Sequence, residues 1–116
     1  MRTSIVVGLV LATVSVRPAV AQDAADSIVI TSSGSCNENF LGVNVYALNA
    51  SYSRVIWIQV RVGSGPSPIV SLDTTYVEYT LQPRQNLWLG CSTYGGYVGS
   101  PWGYNRYALV RASVVR

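Results

Sequence analysis

Between Arg54 and Val62 the side chains alternate in character at every step. Ile56, Ile58, Val60 and Val62 share one face; Trp57, Gln59 and Arg61 share the other. Such alternation, rich in β-branched residues, marks a half-buried strand. Gly63-Ser64-Gly65-Pro66-Ser67-Pro68 then breaks it, because two glycines and two prolines do not propagate a central strand. The same reading along the chain predicts strands at Ser27–Thr31, Leu41–Leu48, Ile69–Leu72, Thr74–Leu81, around Leu87–Cys91, and at Tyr104–Val115. Ser32–Asn39 reads as a polar loop, Gln22–Asp26 as a frayed terminus. Leu41, Val43, Val45 and Ala47 share a face, as do Thr75, Val77, Tyr79 and Leu81, and Leu87, Leu89 and Cys91 line an inner face. Seven short strands with turn signals between them predict an all-β domain, a small antiparallel sandwich.

The first 21 residues fall outside this pattern. A basic start (Met1-Arg2-Thr3), an apolar run from Ser4 to Val16 and the small-x-small ending Ala19-Val20-Ala21 match a secretory signal peptide. Arg17 and Pro18 end the run before it reaches membrane-spanning length, so no stable membrane insertion is expected. The sequence therefore divides into a signal at 1–21, cleaved near Ala21, and one domain at 22–116, secreted or periplasmic. Removing Arg2 and Arg17 takes the formal charge from +3 to +1, which weakens any general attraction to polyanions.

Export makes a Cys36–Cys91 disulfide the expected state of the chain's two cysteines. A metal site lacks clustered ligands, and a cysteine nucleophile lacks a histidine base.

The Leu81-Gln82-Pro83 corner ahead of an alternating strand resembles the corner between the fifth and sixth strands of immunoglobulin-like and fibronectin-like sandwiches. Trp57 and Cys91 resemble the buried tryptophan and the second cysteine of immunoglobulin domains. The resemblance implies an immunoglobulin-like Greek key of about seven strands. It implies no function. On parity, Leu81 opposes Leu87 if the flanking strands form a hairpin across Gln82–Asn86; otherwise the chain crosses between sheets at Pro83.

The chain has no histidine and no lysine. Ser-His-acid, Cys-His, Ser-Lys and Schiff-base chemistry are thereby excluded. Only Glu38, Asp73 and Glu78 remain as carboxylates beyond the expected frayed start, so no catalytic residues, metal or cofactor are expected. Arg54 and Arg61 lie seven apart and Arg106 and Arg111 five apart, odd spacings that point each pair to opposite faces. No nucleic-acid partner is expected from such a scatter.

From Gly90 to Tyr104 the aromatics Tyr94, Tyr97, Trp102 and Tyr104 alternate with glycine, serine and proline. This is the composition of recognition loops, where rigid rings give contact area at low entropic cost. A loop capping the core is the alternative reading. Trp57, Trp88, Tyr46 and Tyr76 form a second set, opposite the aliphatic faces. Asn49-Ala50-Ser51 is a formal N-glycosylation acceptor on an expected turn. The expectation is a non-catalytic binding or accessory domain that takes a glycan, peptide or protein on Tyr94, Tyr97, Trp102 and Tyr104. The alternative is a structural subunit that self-associates through strand edges or an aromatic face.

Overall fold

A computed structural model describes residues 23–37, 42–96 and 100–116. The expected signal at 1–21, and with it Glu38 and Tyr97, lies outside the described residues. The strands are β1 (Ile28–Asn37), β2 (Gly42–Asn49), β3 (Ile56–Gly65), β4 (Asp73–Leu81), β5 (Asn86–Cys91), β6 (Thr93–Tyr94) and β7 (Gly103–Val114). They form two antiparallel sheets, ordered β1-β2-β5 and β4-β3-β7-β6. The chain makes the β1–β2 hairpin, crosses to make the β3–β4 hairpin, and returns to lay β5 beside β2, a Greek-key path. The protein is thus a small all-β sandwich.

The alternation in β3 sets the inside. Ile56, Ile58 and Val60 are fully buried, with Leu81 of β4, Ala112 of β7, Ala47 of β2 and Ile28 of β1 packed around them. Each large aliphatic side chain buried there contributes about 1.5–3 kcal/mol. Val77, Tyr79, Leu87 and Leu89 close the rim of this core.

Three expectations are corrected, and one open alternative is decided. Residues 23–26 form a helical turn, and Ala24 is fully buried in the core instead of fraying. An ion pair from Arg54 to Asp23 at 2.6 Å holds that turn down. The polar stretch Ser32–Asn37 continues β1, because β2 supplies its backbone partners while shifts around Gly34 and Cys36 absorb the irregular sequence. Gly63–Gly65 stay within β3, whereas residues 66–72, including the expected strand Ile69–Leu72, form the β3–β4 loop, with an isolated bridge between Ser67 and Val70 and the Leu72 amide donating to the Ser64 carbonyl oxygen. Of the two paths that parity leaves open after Leu81, the hairpin is not the one taken. The chain crosses between sheets at the Pro83 turn, so β4 pairs with β3 and β5 with β2.

Asn49 explains why that crossing holds. The side chain is fully buried, and its Nδ2 donates to the carbonyl oxygens of Arg54 (2.8 Å), Gln82 (3.1 Å) and Leu81 (3.3 Å). Its Oδ1 accepts from the Ser51 amide at 3.0 Å. The formal glycosylation acceptor is therefore the polar hub of two crossovers, and the nitrogen a glycan would need is committed to backbone.

Candidate functional site

The Cys36–Cys91 disulfide forms, and it links β1 to β5, the strands flanking β2 in one sheet. A register shift leaves Leu89 unpaired and turns Cys91 to the side of Asn44, away from the inner face expected for it. Gly42 of β2 lies against both sulfurs, since a Cβ there would stand 2.9 Å from each Sγ. Trp57, the counterpart suggested by the immunoglobulin resemblance, lies on the other sheet with the Arg111 guanidinium 5.5 Å from its ring centre.

Just past Cys91 the chain changes sheets, and this corner is clamped. The Ser92 amide donates to the Val43 carbonyl oxygen, and the Val43 amide donates to Ser92 Oγ at 2.9 Å. Asn105 Nδ2 and Tyr107 Oη both donate to the Cys91 carbonyl oxygen at 3.0 Å. Ser64 Oγ fixes Asn105 from β3. Burial, the largest cause, raises the Tyr107 phenol above its ordinary value of 10.0; the Asn105 side chain lowers it and Tyr79 adds to the rise.

From this base a hairpin projects through β6 into β7. Tyr94 pairs with Gly103, and the Trp102 amide donates to the Tyr94 carbonyl oxygen. Each ring lies on a glycine of the opposite arm. A Cβ at Gly103 would overlap the Tyr94 ring, and one at Gly95 would overlap the indole of Trp102. Because neighbouring strand residues point to opposite sides, Tyr94 and Trp102 cover opposite faces of the hairpin. Gly95 and Gly96 turn the chain at φ +62° and +94°. Trp102 keeps 70% of its surface exposed and Tyr94 44%. Tyr104 is half-buried opposite Gly65 of β3. Three of the four expected aromatics thus share one hairpin, with Trp102 and Tyr104 on one side; Tyr97 lies outside the described residues.

The second aromatic set is divided. Tyr46 opposes Trp88 on the outside of one sheet, and Trp57 and Tyr76 lie on the outside of the other.

Sequence parity missed a feature beside the hairpin. Val110 has no partner, because Gln59 pairs with Arg111 and Val60 with Leu109. This bulge shifts the phase of β7 and puts Arg106 and Arg111 on the same outer face as Arg61. The divergence expected for Arg106 and Arg111 is corrected accordingly. Arg61, Arg106 and Tyr76 line a groove of about 740 Å³ on that face, walled by the β3–β4 loop, where Arg106 donates to the Pro68 carbonyl oxygen at 3.4 Å. Exposed Ile69 and Leu72 stand on the same loop.

Among the described residues no three His, Cys, Asp or Glu side chains converge as a metal site requires. Asp73 and Glu78 occupy opposite faces of β4, facing Ser64 and Gln59 respectively, so they do not form an acid–base pair. Among the described residues no helix is long and apolar enough to cross a membrane. Comparison of the chain with protein-family models, curated proteins and solved structures finds no match.

Proposed function

We propose that the protein is a small exported, non-catalytic binding domain that presents the Tyr94–Tyr104 hairpin to a glycan. The observation that carries this reading is the indole of Trp102. One face of it rests on Gly95, and most of its surface is open to solvent. A ring supported in this way offers a flat apolar platform of the kind a sugar ring stacks against. The clamped base at Cys91 and Ser92 limits the ordering cost of binding. A disulfide in a small domain is compatible with an extracellular or periplasmic location, and the signal pattern at 1–21 supports export. The absence of histidine and lysine, with Asp73 and Glu78 apart, supports a non-catalytic role.

Glycan-array binding of the protein, compared with its Trp102→Ala and Tyr94→Ala variants, tests the reading. Loss of array binding in the Trp102→Ala variant, with an unchanged circular-dichroism spectrum, is expected. Binding that survives both changes would remove the hairpin as the site.

A structural-subunit reading has one observation in its favour. Among the described residues β4 pairs with β3 alone, leaving a nine-residue edge rich in threonine and tyrosine. Light scattering after size exclusion decides it: a monomer at high concentration eliminates pairing through that edge.

A further inference from the structure

The groove beside the hairpin has a composition that the aromatic reading does not use. On β3 and β7, Arg61 stands opposite Ala108 and Arg106 opposite Gly63. The arginines are therefore diagonal neighbours on adjacent strands, about 7–8 Å apart at the backbone. The two small residues fill the other diagonal and leave space between the guanidinium groups. On β4, Tyr76, 57% exposed, opposes Arg61, and Thr74 opposes Gly63. The Ser71 side chain comes down on Gly63 from the β3–β4 loop.

No carboxylate lines this groove. Glu78 is the acid on the same face of β4, one rung away opposite Gln59, and Asp73 points to the other face. Glu78 is thus diagonal to Arg61, but among the described residues the one ion pair is Arg54 with Asp23, so neither Arg61 nor Arg106 is held in a contact salt bridge. Two unpaired guanidinium groups, two hydroxyls and an open tyrosine ring form a fork for an oxyanion attached to a polar, ring-shaped body. The volume of about 740 Å³ suits a small ligand or one unit of a polymer.

Position ties this groove to the hairpin. Trp102, Tyr104, Arg106 and Ala108 follow one another at every second residue, on one side of the chain. At the rise of an antiparallel strand, Trp102 and Arg106 lie about 14 Å apart along it. We infer that the groove takes the carboxylate or sulfate of an acidic oligosaccharide, a sugar further along which stacks on Trp102. This rests on the glycan reading of the hairpin and names its ligand class. A nucleic acid fits less well: residues 22–116 carry six arginines against five acids, too small an excess for the counterion release that drives such binding.

The test titrates the protein with four probes by calorimetry. These are a uronic-acid oligosaccharide, a sulfated one, the neutral oligosaccharide of equal length, and a single-stranded oligonucleotide. At least one acidic saccharide should bind about tenfold or more tightly than the neutral one, with affinity falling as salt rises. Which acidic probe prevails identifies the anion. Arg61→Gln combined with Arg106→Gln should abolish the preference for acid, while Arg111→Gln should leave it. Both arginines of the groove are exposed, so the fold should survive, as thermal melting would confirm. Equal affinity for acidic and neutral probes, or equal loss in the Arg111→Gln variant, overturns the inference while leaving the hairpin reading intact. Acid-selective binding that survives Trp102→Ala keeps the groove and overturns the hairpin. Tighter binding of the oligonucleotide overturns the assigned class, and failure of all four probes overturns both.

Discussion

The Tyr107 hydroxyl occupies the space a side chain at Gly90 would need and donates its proton to the carbonyl oxygen of the next residue, Cys91, at 3.0 Å. One phenol thus joins β7 of one sheet to β5 of the other. Gly90→Ala forces a methyl into that hydroxyl and puts a side chain on a backbone at φ +154°, and should destabilise the fold by about 1–3 kcal/mol or more. In Tyr107→Phe the obstructing oxygen is gone, so the double variant should lose less than the sum of the two single changes. Urea titrations of the four proteins measure this coupling; strict additivity would show that the two positions act independently.

The same phenol makes stability sensitive to alkali. Burial raises the Tyr107 pKa above 10.0, so the folded chain holds this proton more tightly than the unfolded chain does. Its stabilising contribution is complete below the unfolded value and is lost as pH rises through the raised folded one. Ionisation also removes the donor to Cys91. Melting temperatures across about pH 8 to 11 should fall more steeply at the alkaline end for the wild type than for Tyr107→Phe. Parallel curves would show that Tyr107 is not the group responsible.

Asn49 gives the sharpest stability prediction. Its amide nitrogen faces three carbonyl oxygens at 2.8–3.3 Å. Asn49→Ala leaves these acceptors without their donor and should cost about 2–3 kcal/mol. Asn49→Asp puts an acceptor where a donor is required and should cost more. Chemical denaturation orders the three proteins, and an Asp variant as stable as the Ala variant would contradict the hub role.

The disulfide closes a loop across a sequence separation of 55. Cys36→Ser with Cys91→Ser should cost about 4 kcal/mol through the greater freedom of the unfolded chain. Reduction of the intact protein should add the mass of two hydrogens and lower its melting temperature to that of the double variant. A reduced protein that melts at the oxidised temperature would mean the bond contributes little.

The central strand was legible because its alternation is local: Ile56, Ile58 and Val60 point inward as their spacing requires. The same rule predicted the inner face of β4. It failed at Cys91 and Arg111 for one shared reason. An unpaired residue, Leu89 in β5 and Val110 in β7, shifts the phase of everything after it. Bulges arise from the pairing of strands distant in sequence, and neither Leu nor Val announces one. The extension of β1 through Ser32–Asn37 was hidden because its serines carry no apolar alternation, and β2 supplies what holds it. Burial of Ala24 was hidden because a small residue near a terminus gives no sign of a docking site. The aromatic loop was visible in composition, but its folding into a hairpin through β6 was not. That its two rings lie on opposite faces depends on which glycine each one meets.

The bulge at Val110 also decides what the interior is spared. Counting by twos from Tyr107 through Leu109 arrives at Arg111, so an uninterrupted strand would drive a guanidinium toward the place Ala112 now fills against Ile58. A charge there, with no acid across from it, would cost several kcal/mol. One unpaired valine therefore acts as a sorting device, sending an arginine to water and an alanine to oil. Deleting that valine would place Leu109 and Arg111 in direct succession opposite Val60 and Gln59, a regular ladder that keeps the arginine outside and Ala112 inside.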